Sequence, residues 1–345
     1  KFVEKLRSNG INVIYTNMNR LRDSNPAFSS FWRIFIQHFG TNGKGGITNP
    51  FCPTSPKVNL RAMLKLMNFK ANHRKLILNE KEAVVMSANP HDESSYHSNI
   101  GFHFTGGVIK NIIESEKAIA SFSGSSIDIP SVTYTATEGA MSITYLTEGK
   151  IKKHILENIK NSTAADTIKI GMFYLSDRDI IKALKGAAKR DVKIQLILDA
   201  NKDAFGRKKN GIPNRPVASE LSKFPSIKVR WYNTHGEQFH TKIVIFSRNG
   251  YTDVFGGSAN LTKRNIGDLN LEADIKISAT ADSKFSKEII SYYDRLWNNS
   301  DGSYTLDFSA YNTNSFWLYL TYRIQECSGL STLKPPKKVS HLSRL

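Results

Sequence analysis

Two short stretches hold the residues best suited to chemistry. One is Asn72-His73-Arg74-Lys75-Leu76-Ile77-Leu78, followed by Ser87-Ala88-Asn89. The other is Phe239-His240-Thr241-Lys242-Ile243-Val244-Ile245, followed by Gly256-Gly257-Ser258-Ala259-Asn260. Each reads as His-x-Lys on a strand and a hairpin return that ends in Ser-x-Asn. Side chains two apart on a strand share a face, so His and Lys point together and the returning strand brings Ser and Asn beside them. A single His-x-Lys arises by chance in so basic a chain; its recurrence with the same sequel carries the weight.

Facing each other, the two copies surround a phosphate with two imidazoles, two ammonium groups and several hydroxyl and amide donors. That set meets the needs of phosphodiester cleavage. One neutral His attacks phosphorus to give a phosphohistidine, and the other, protonated, donates to the leaving alkoxide. Lys75, Lys242, Asn89 and Asn260 stabilise the non-bridging oxygens, with Ser87 and Ser258 alongside. The scheme requires no metal and no other cofactor. His91, Asp92, His97 and His235 are within sequence reach of the cleft, but their spacing makes no compact metal-ligand set.

The elements that must position these residues follow from apolar periodicity. In the second half, helices are expected at Ile151–Asn161 and Ser176–Lys189, and strands at Thr167–Phe173, Val192–Leu198, Ile227–Tyr232, His240–Phe246, Thr252–Phe255 and Leu271–Ile277. The first half repeats part of this order, with a helix at Phe2–Ser8 and strands at Asn12–Tyr15, His73–Leu78, Ala83–Met86 and Ser98–Phe104. Its leading helix and strand are missing, so more chain is expected before Lys1, which is neither Met nor the start of a signal-like segment. The expected fold is α/β: two pseudo-symmetric lobes, each a mixed sheet flanked by helices, with the site at their interface. The first lobe spans 1–120 and the second 148–330. Between them lies a Gly/Ser/Thr-rich segment, 121–147, whose Tyr134, Tyr145 and β-branched residues suit an ordered strand rather than a flexible linker, and a basic tail covers 331–345.

The 345 residues include 48 Lys and Arg against 30 Asp and Glu, a formal net charge of +18 that favours an anionic partner. No run of 18 apolar residues exists in the chain, which excludes a single membrane-spanning helix within it. Cys52 and Cys327 make neither a disulfide framework nor a zinc spacing. The aromatic stretch Phe28–Ile36 reads as a buried helix or cleft wall ahead of a segment dipping into lipid headgroups. Asn49-Pro50-Phe51 and Met63–Phe69 read as core packing ahead of an acyl-chain groove.

The paired motifs resemble the phospholipase D superfamily, especially its bacterial cardiolipin-synthase-like members, most specifically over Asn72–Phe104 and Leu198–Ile277. The family motif places an Asp five residues after the Lys; here Glu80 and Ser247 stand instead. Glu272 matches the family carboxylate that backs a catalytic His. Counting from each Ser-Ala-Asn puts Asn99 in the place of Asn270 and Gly101 in that of Glu272, so only one His has such backing. The resemblance implies pairing across the seam, with Glu272 behind His73; pairing within the half would make His240 the better acid. Either way His73 is expected to be the nucleophile.

The loop 199–216 follows the carboxyl end of a strand, where α/β folds place ligand loops. Its Lys202, Asn214 and Arg215, with Asn99, are expected to meet a headgroup phosphate. The leading expectation is a phospholipase D or cardiolipin-synthase-like phosphatidyltransferase. Its partners would be an anionic phospholipid and a membrane surface, and the chain would be a bacterial monomer, peripheral to a membrane or extracytoplasmic. A nuclease of the same superfamily, acting on DNA or RNA, is the alternative, although no nucleic-acid-binding signature is visible. A third reading, an inactive lipid- or nucleic-acid-binding scaffold, is opposed by intact His and Lys in both halves.

Overall fold

Strands rich in Ile, Val and Leu need apolar cover on both faces, and the second half supplies it. The computed structural model describes residues 2–23, 25–36, 45–48, 57–59, 61, 70–129, 139, 141–204 and 207–328. Before the first sheet come α1 (Phe2–Ser8), α2 (Pro26–Phe31) and a π-helical turn at Trp32–Ile36. The first half then forms β1 (Leu76–Leu78), β2 (Glu82–Met86), α3 (Asp92–Ser95), β3 (Gly101–Thr105) and α4 (Val108–Phe122). The second half runs β4 (Met141–Thr147), α5 (Gly149–Asn161), β5 (Thr167–Met172), α6 (Arg178–Ala188), β6 (Lys193–Leu198), a short hairpin of β7 (Asp203–Ala204) and β8 (Arg207–Lys208), α7 (Asn214–Leu221) and β9 (Ile227–Tyr232). It continues with β10 (Lys242–Arg248), β11 (Tyr251–Gly257), α8 (Lys263–Ile266), β12 (Ala273–Thr280), α9 (Lys284–Asn298), β13 (Thr305–Asp307) and α10 (Phe316–Ser328).

Eight strands form one mixed sheet in the order β13-β9-β6-β5-β10-β11-β12-β4, and β1-β2-β3 form a smaller antiparallel one. In the large sheet β5, β6 and β9 are parallel, as expected of strands joined through the helices α6 and α7. β10, β11 and β12 are a meander of antiparallel pairs. The 121–147 segment contributes β4 to the edge of this sheet, beside β12.

Alternation along the strands divides the interior in two. Val244 and Phe246 face one core, with Ile151, Ile155 and Ile159 of α5, Ile180, Ile181 and Leu184 of α6, and Leu221 of α7. Ile243 and Ile245 face the other, with Ala83, Val85, Phe102 and Phe104 of the small sheet, Ile109 and Ile112 of α4, and Tyr293 of α9. The small sheet therefore covers the back of the large one. Burying one such Ile contributes about 1.5–3 kcal/mol, so this apolar face is what holds the two halves in register. Gly256 marks the closest approach, since a Cβ there would run into the ring of Phe102.

Three local expectations are corrected. Asn12–Tyr15 is irregular and pairs with no strand among the described residues. The first motif precedes its strand, β1 beginning at Leu76, and the second reaches its strand only at Lys242, the first residue of β10. The stretch 28–36 turns Phe31, Ile34 and Phe35 outward, at 50, 63 and 57 % exposure, instead of burying them. Asn49–Phe51, Met63–Phe69 and the tail 331–345 lie outside the described residues. Among the described residues no helix is long and apolar enough to cross a membrane.

Candidate active site

Each His stops short of its strand, in a segment that is bonded across the seam. His73 N–H donates to the Leu271 carbonyl at 2.8 Å, and Leu271 N–H donates back to Ala71 at 3.0 Å. In the opposite half Ser98 N–H donates to the Gln238 carbonyl at 3.0 Å, and the Thr241 hydroxyl to the Ser98 carbonyl at 2.9 Å. Thus the segment before each catalytic strand is stitched to the loop that closes the other hairpin.

The side chains repeat the exchange. His73 Nδ1 lies 2.9 Å from Glu272 Oε2, and His240 Nδ1 lies 3.0 Å from Asn99 Oδ1. Asn99 Nδ2 donates to the carbonyls of Ser94 (2.6 Å) and His97 (3.1 Å), which fixes the amide with its oxygen toward the ring. Each imidazole therefore donates Nδ1–H to its backing oxygen and keeps Nε2 for a ligand. Pairing is across the seam, as the resemblance implied.

The serines set these backing groups. Ser258 Oγ donates to Glu272 and accepts Ala273 N–H at 2.9 Å. Ser87 Oγ donates to Asn99 at 3.1 Å and accepts Ile100 N–H at 2.9 Å. Asn99 is thus the counterpart of Glu272, and Gly101 that of Asp274. This corrects the alignment made by counting from Ser-Ala-Asn. The serine stands 14 residues before its partner in the second half and 12 in the first, so counting slipped by two. The difference lies after the matching helices α8 and α3, capped by Thr262 and His91. His91 is accordingly a helix cap, and Asn99 holds a His instead of meeting a substrate.

The lysines are equally matched. Lys75 Nζ donates to the His73 carbonyl and Lys242 Nζ to that of His240, both at 2.8 Å. Burial pushes Lys75 down to about 8 against the pull of Glu272 and Asp274. Lys242 is pushed well below the ordinary lysine value by burial and by the charge of Lys75, with Glu272, Asp274 and Asp199 opposing. Two buried lysines whose charges repel each other suit an anionic ligand, which would favour their ammonium forms. His240, 5 % exposed, is driven far below the usual imidazole range by burial, then by Lys242, Lys75, His73 and His97. The Asn260 carboxamide is buried with Oδ1 unpaired, so it retains hydrogen-bonding capacity. Asn89 lines an open cleft with His97 and Asn99.

Several supporting residues escaped the sequence reading. Asp274 accepts Ala259 N–H at 3.0 Å and is raised to about 7 by burial and by Glu272. At Gly257, φ is +155° and a Cβ would meet Asp274, which explains the second glycine of Gly-Gly-Ser. Asp199 accepts Phe239 N–H at 2.8 Å, bracing the residue before His240. Arg74, between His73 and Lys75, is clamped by Glu116 and Glu148, both at 2.8 Å. Alternation, Asp274 standing two after Glu272, was the available signal for the first.

The loop 199–216 is fastened to the body. Asn214 is fully buried; its side chain donates to the Phe173 and Asp199 carbonyls and accepts Leu175 N–H. Lys202 donates to the Thr234 carbonyl at 2.6 Å, and Arg215 to that of Ala200 at 2.9 Å while lying over Tyr311. These three brace the loop instead of facing the lysines. Ser247, in the place of the motif Asp, is on β10 with its hydroxyl buried and unpaired, while Glu80 is exposed at the β1–β2 turn. Among the described residues no three His, Cys, Asp or Glu groups converge as a metal site.

Residues 155–297 match the family described as cardiolipin synthase, PLD-like domain. The fold is similar to that of phosphatidylserine synthase from Haemophilus influenzae Rd KW20, with TM-score 0.52 and 10 % identity over 77 % of this chain and 71 % of that one. Nuc, a phospholipase D family member from Salmonella typhimurium, aligns with TM-score 0.37 and 19 % identity over 50 % of this chain and 99 % of that one. No curated protein matches the chain. The family model bears out the resemblance to the phospholipase D superfamily over residues 155–297. The family match spans His240, Lys242, Ser258, Asn260 and Glu272; the first-half motif lies outside it and is paired with them by geometry.

Proposed function

We propose that this phospholipase-D-like chain is a metal-independent phosphodiesterase or phosphatidyltransferase acting on phospholipids through a phosphohistidine. One observation carries the reading: two histidines, each held at Nδ1 by the opposite half, beside two buried lysines.

His73 Nε2 attacks phosphorus, and the bond to the leaving alcohol breaks as His240 gives its proton to the departing oxygen. The ring of His73 becomes positive when it is phosphorylated, and Glu272 is placed to offset that charge as it develops. His240 takes its proton only when an anionic phosphate counters the surrounding cations, which makes it a strong acid in the complex. Once neutral again, it accepts the proton of water or a second alcohol, whose oxygen attacks phosphorus and frees His73. Lys75, Lys242 and the amides of Asn89 and Asn260 hold the non-bridging oxygens. The chain's own groups supply every proton and positive charge in this sequence.

A lipid substrate is supported by the family description and by apolar side chains turned outward. Phe316, Trp317 and Ile324 of α10 are 67, 74 and 58 % exposed, as are Phe31, Ile34 and Phe35 near the amino end at 50 % or more. With a net charge of +18, such faces suit an anionic bilayer surface. The test is incubation in EDTA with labelled phosphatidylglycerol or phosphatidylcholine vesicles and, separately, with plasmid or single-stranded DNA. Lipid turnover abolished by His73→Ala and by His240→Ala is the expected result. DNA nicking alone would make the chain a nuclease, and activity that returns only with a divalent metal would end the metal-independent scheme.

A further inference from the structure

We propose that His97 is a specificity-determining residue, a neutral imidazole whose Nε2–H holds a second hydroxyl of a polyol while that polyol leaves or attacks phosphorus beside His240. The inference rests on the transfer reading above. His97 Nδ1 accepts the backbone N–H of Gln238 at 3.3 Å, so the ring's proton sits on Nε2. Its backbone is fixed at both ends: His97 N–H donates to the Ser94 carbonyl at 3.2 Å, and the His97 carbonyl accepts Asn99 Nδ2. The ring centroid lies 6.0 Å from that of His240, at a tilt of 49°. It lines the open cleft with Asn89 and Asn99.

Burial, then the charges of His91 and Lys242, lower the proton affinity of His97. With Nδ1 accepting the Gln238 N–H, the ring offers the phosphate side a hydrogen-bond donor at Nε2 instead of a third cation. A donor of this kind suits an alcohol oxygen. His240 serves the oxygen bonded to phosphorus; His97 then serves an oxygen farther along the same molecule. Water and a simple alcohol have a single oxygen and satisfy one ring. A polyol satisfies both, and a site built to bond a hydroxyl discriminates against the analogue that lacks it.

The experiment uses the whole chain with bis(p-nitrophenyl) phosphate as donor and equal concentrations of glycerol or propan-1-ol as acceptor. It reads p-nitrophenol release and the partition of product between alcohol and water. The wild type is expected to favour glycerol over propan-1-ol. His97→Ala should cut that preference about tenfold, the value of one hydrogen bond, while release in water stays within about threefold. His97→Gln, which carries an N–H at a comparable reach, should restore part of the preference. Release and preference falling together would make His97 a mere brace for Gln238 and overturn the inference, as would an unchanged preference. A wild type that releases nitrophenol without favouring glycerol refutes this inference alone. One that releases none refutes the transfer reading on which it rests.

Discussion

Behind His73 stands the carboxylate of Glu272, 2.9 Å from Nδ1; behind His240, at 3.0 Å, stands the carboxamide of Asn99. The two oxygens are held by equivalent serines and reached by equivalent crossings of the seam. Their charges differ. Both site carboxylates, Glu272 and Asp274, come from one segment of the second half, and the first half offers Asn99 and Gly101 at the corresponding places. The two half-sites thus share a geometry and differ in their electrostatics. The more buried ring has the neutral partner and resists protonation, while the ring with the carboxylate is 25 % exposed. Geometry fixes which nitrogen each ring presents, and charge separates their roles.

The largest effect should come from removing either ring. His73→Ala and His240→Ala are each expected to lower turnover of an alkyl diester by about four orders of magnitude, the loss typical of a nucleophile or its proton partner. An activated aryl diester separates them, because its leaving group needs no proton. With it, His240→Ala should release up to one equivalent of aryl alcohol in a burst and stall as a phosphohistidine, whereas His73→Ala should give no burst. A burst from His73→Ala in place of His240→Ala would exchange the roles. Rapid-quench measurement with a labelled phosphoryl group decides it.

The backing groups should rank next. Glu272→Gln keeps a hydrogen-bonding oxygen and removes the charge that offsets phosphorylated His73, so kcat is expected to fall by about 10²-fold with little change in KM. Asn99→Ala removes an orienting bond and no charge, and should cost about tenfold. The serines should follow their clients, Ser258→Ala costing more than Ser87→Ala. Equal losses at Glu272 and Asn99 would show that orientation alone matters and that the charge difference has no catalytic consequence. Steady-state kinetics on one alkyl diester provides all four comparisons.

Much of this was legible in the residues. The second half reads clearly because β10 carries Ile243 and Ile245 on one face and Val244 and Phe246 on the other, and α5 and α6 repeat Ile and Leu at helical spacing, so local pattern and burial agree. The first half reads less well. Val13 and Ile14 have the composition of a strand, but strand structure requires a partner, and no neighbour pairs with them. The motif residues themselves were found because they recur. Their pairing was not derivable from spacing, since His73 and Glu272 are 199 residues apart and His240 and Asn99 are 141 apart. Asn214 and Arg215 misled for the opposite reason: polar residues on a loop after a strand resemble ligand groups, yet here they satisfy backbone carbonyls the loop would otherwise bury unpaired.

The smallest change in rate, and the finest probe of the asymmetry, is expected from Asn99→Asp. The variant gives His240 a carboxylate of nearly unchanged shape and so makes the two half-sites electrostatically alike. Lys242, Lys75, His73 and His97 all oppose a proton on His240. An anion at Asn99 favours it, raising the pKa of the ring by about one unit or more. Because His240 must carry a proton to expel an alkyl alkoxide, rate falls as pH rises through that pKa. The alkaline limb of kcat/KM for an alkyl diester should therefore move to higher pH. With an aryl diester, which needs no proton, the limb should stay in place. The variant also gives up the Asn99 Nδ2 donors to Ser94 and His97, at about 1 kcal/mol each, so Tm should drop by a few degrees without changing this contrast. If both substrates shifted alike, the titrating group would be one common to both, such as Lys75, and the assignment of His240 as the acid would fall.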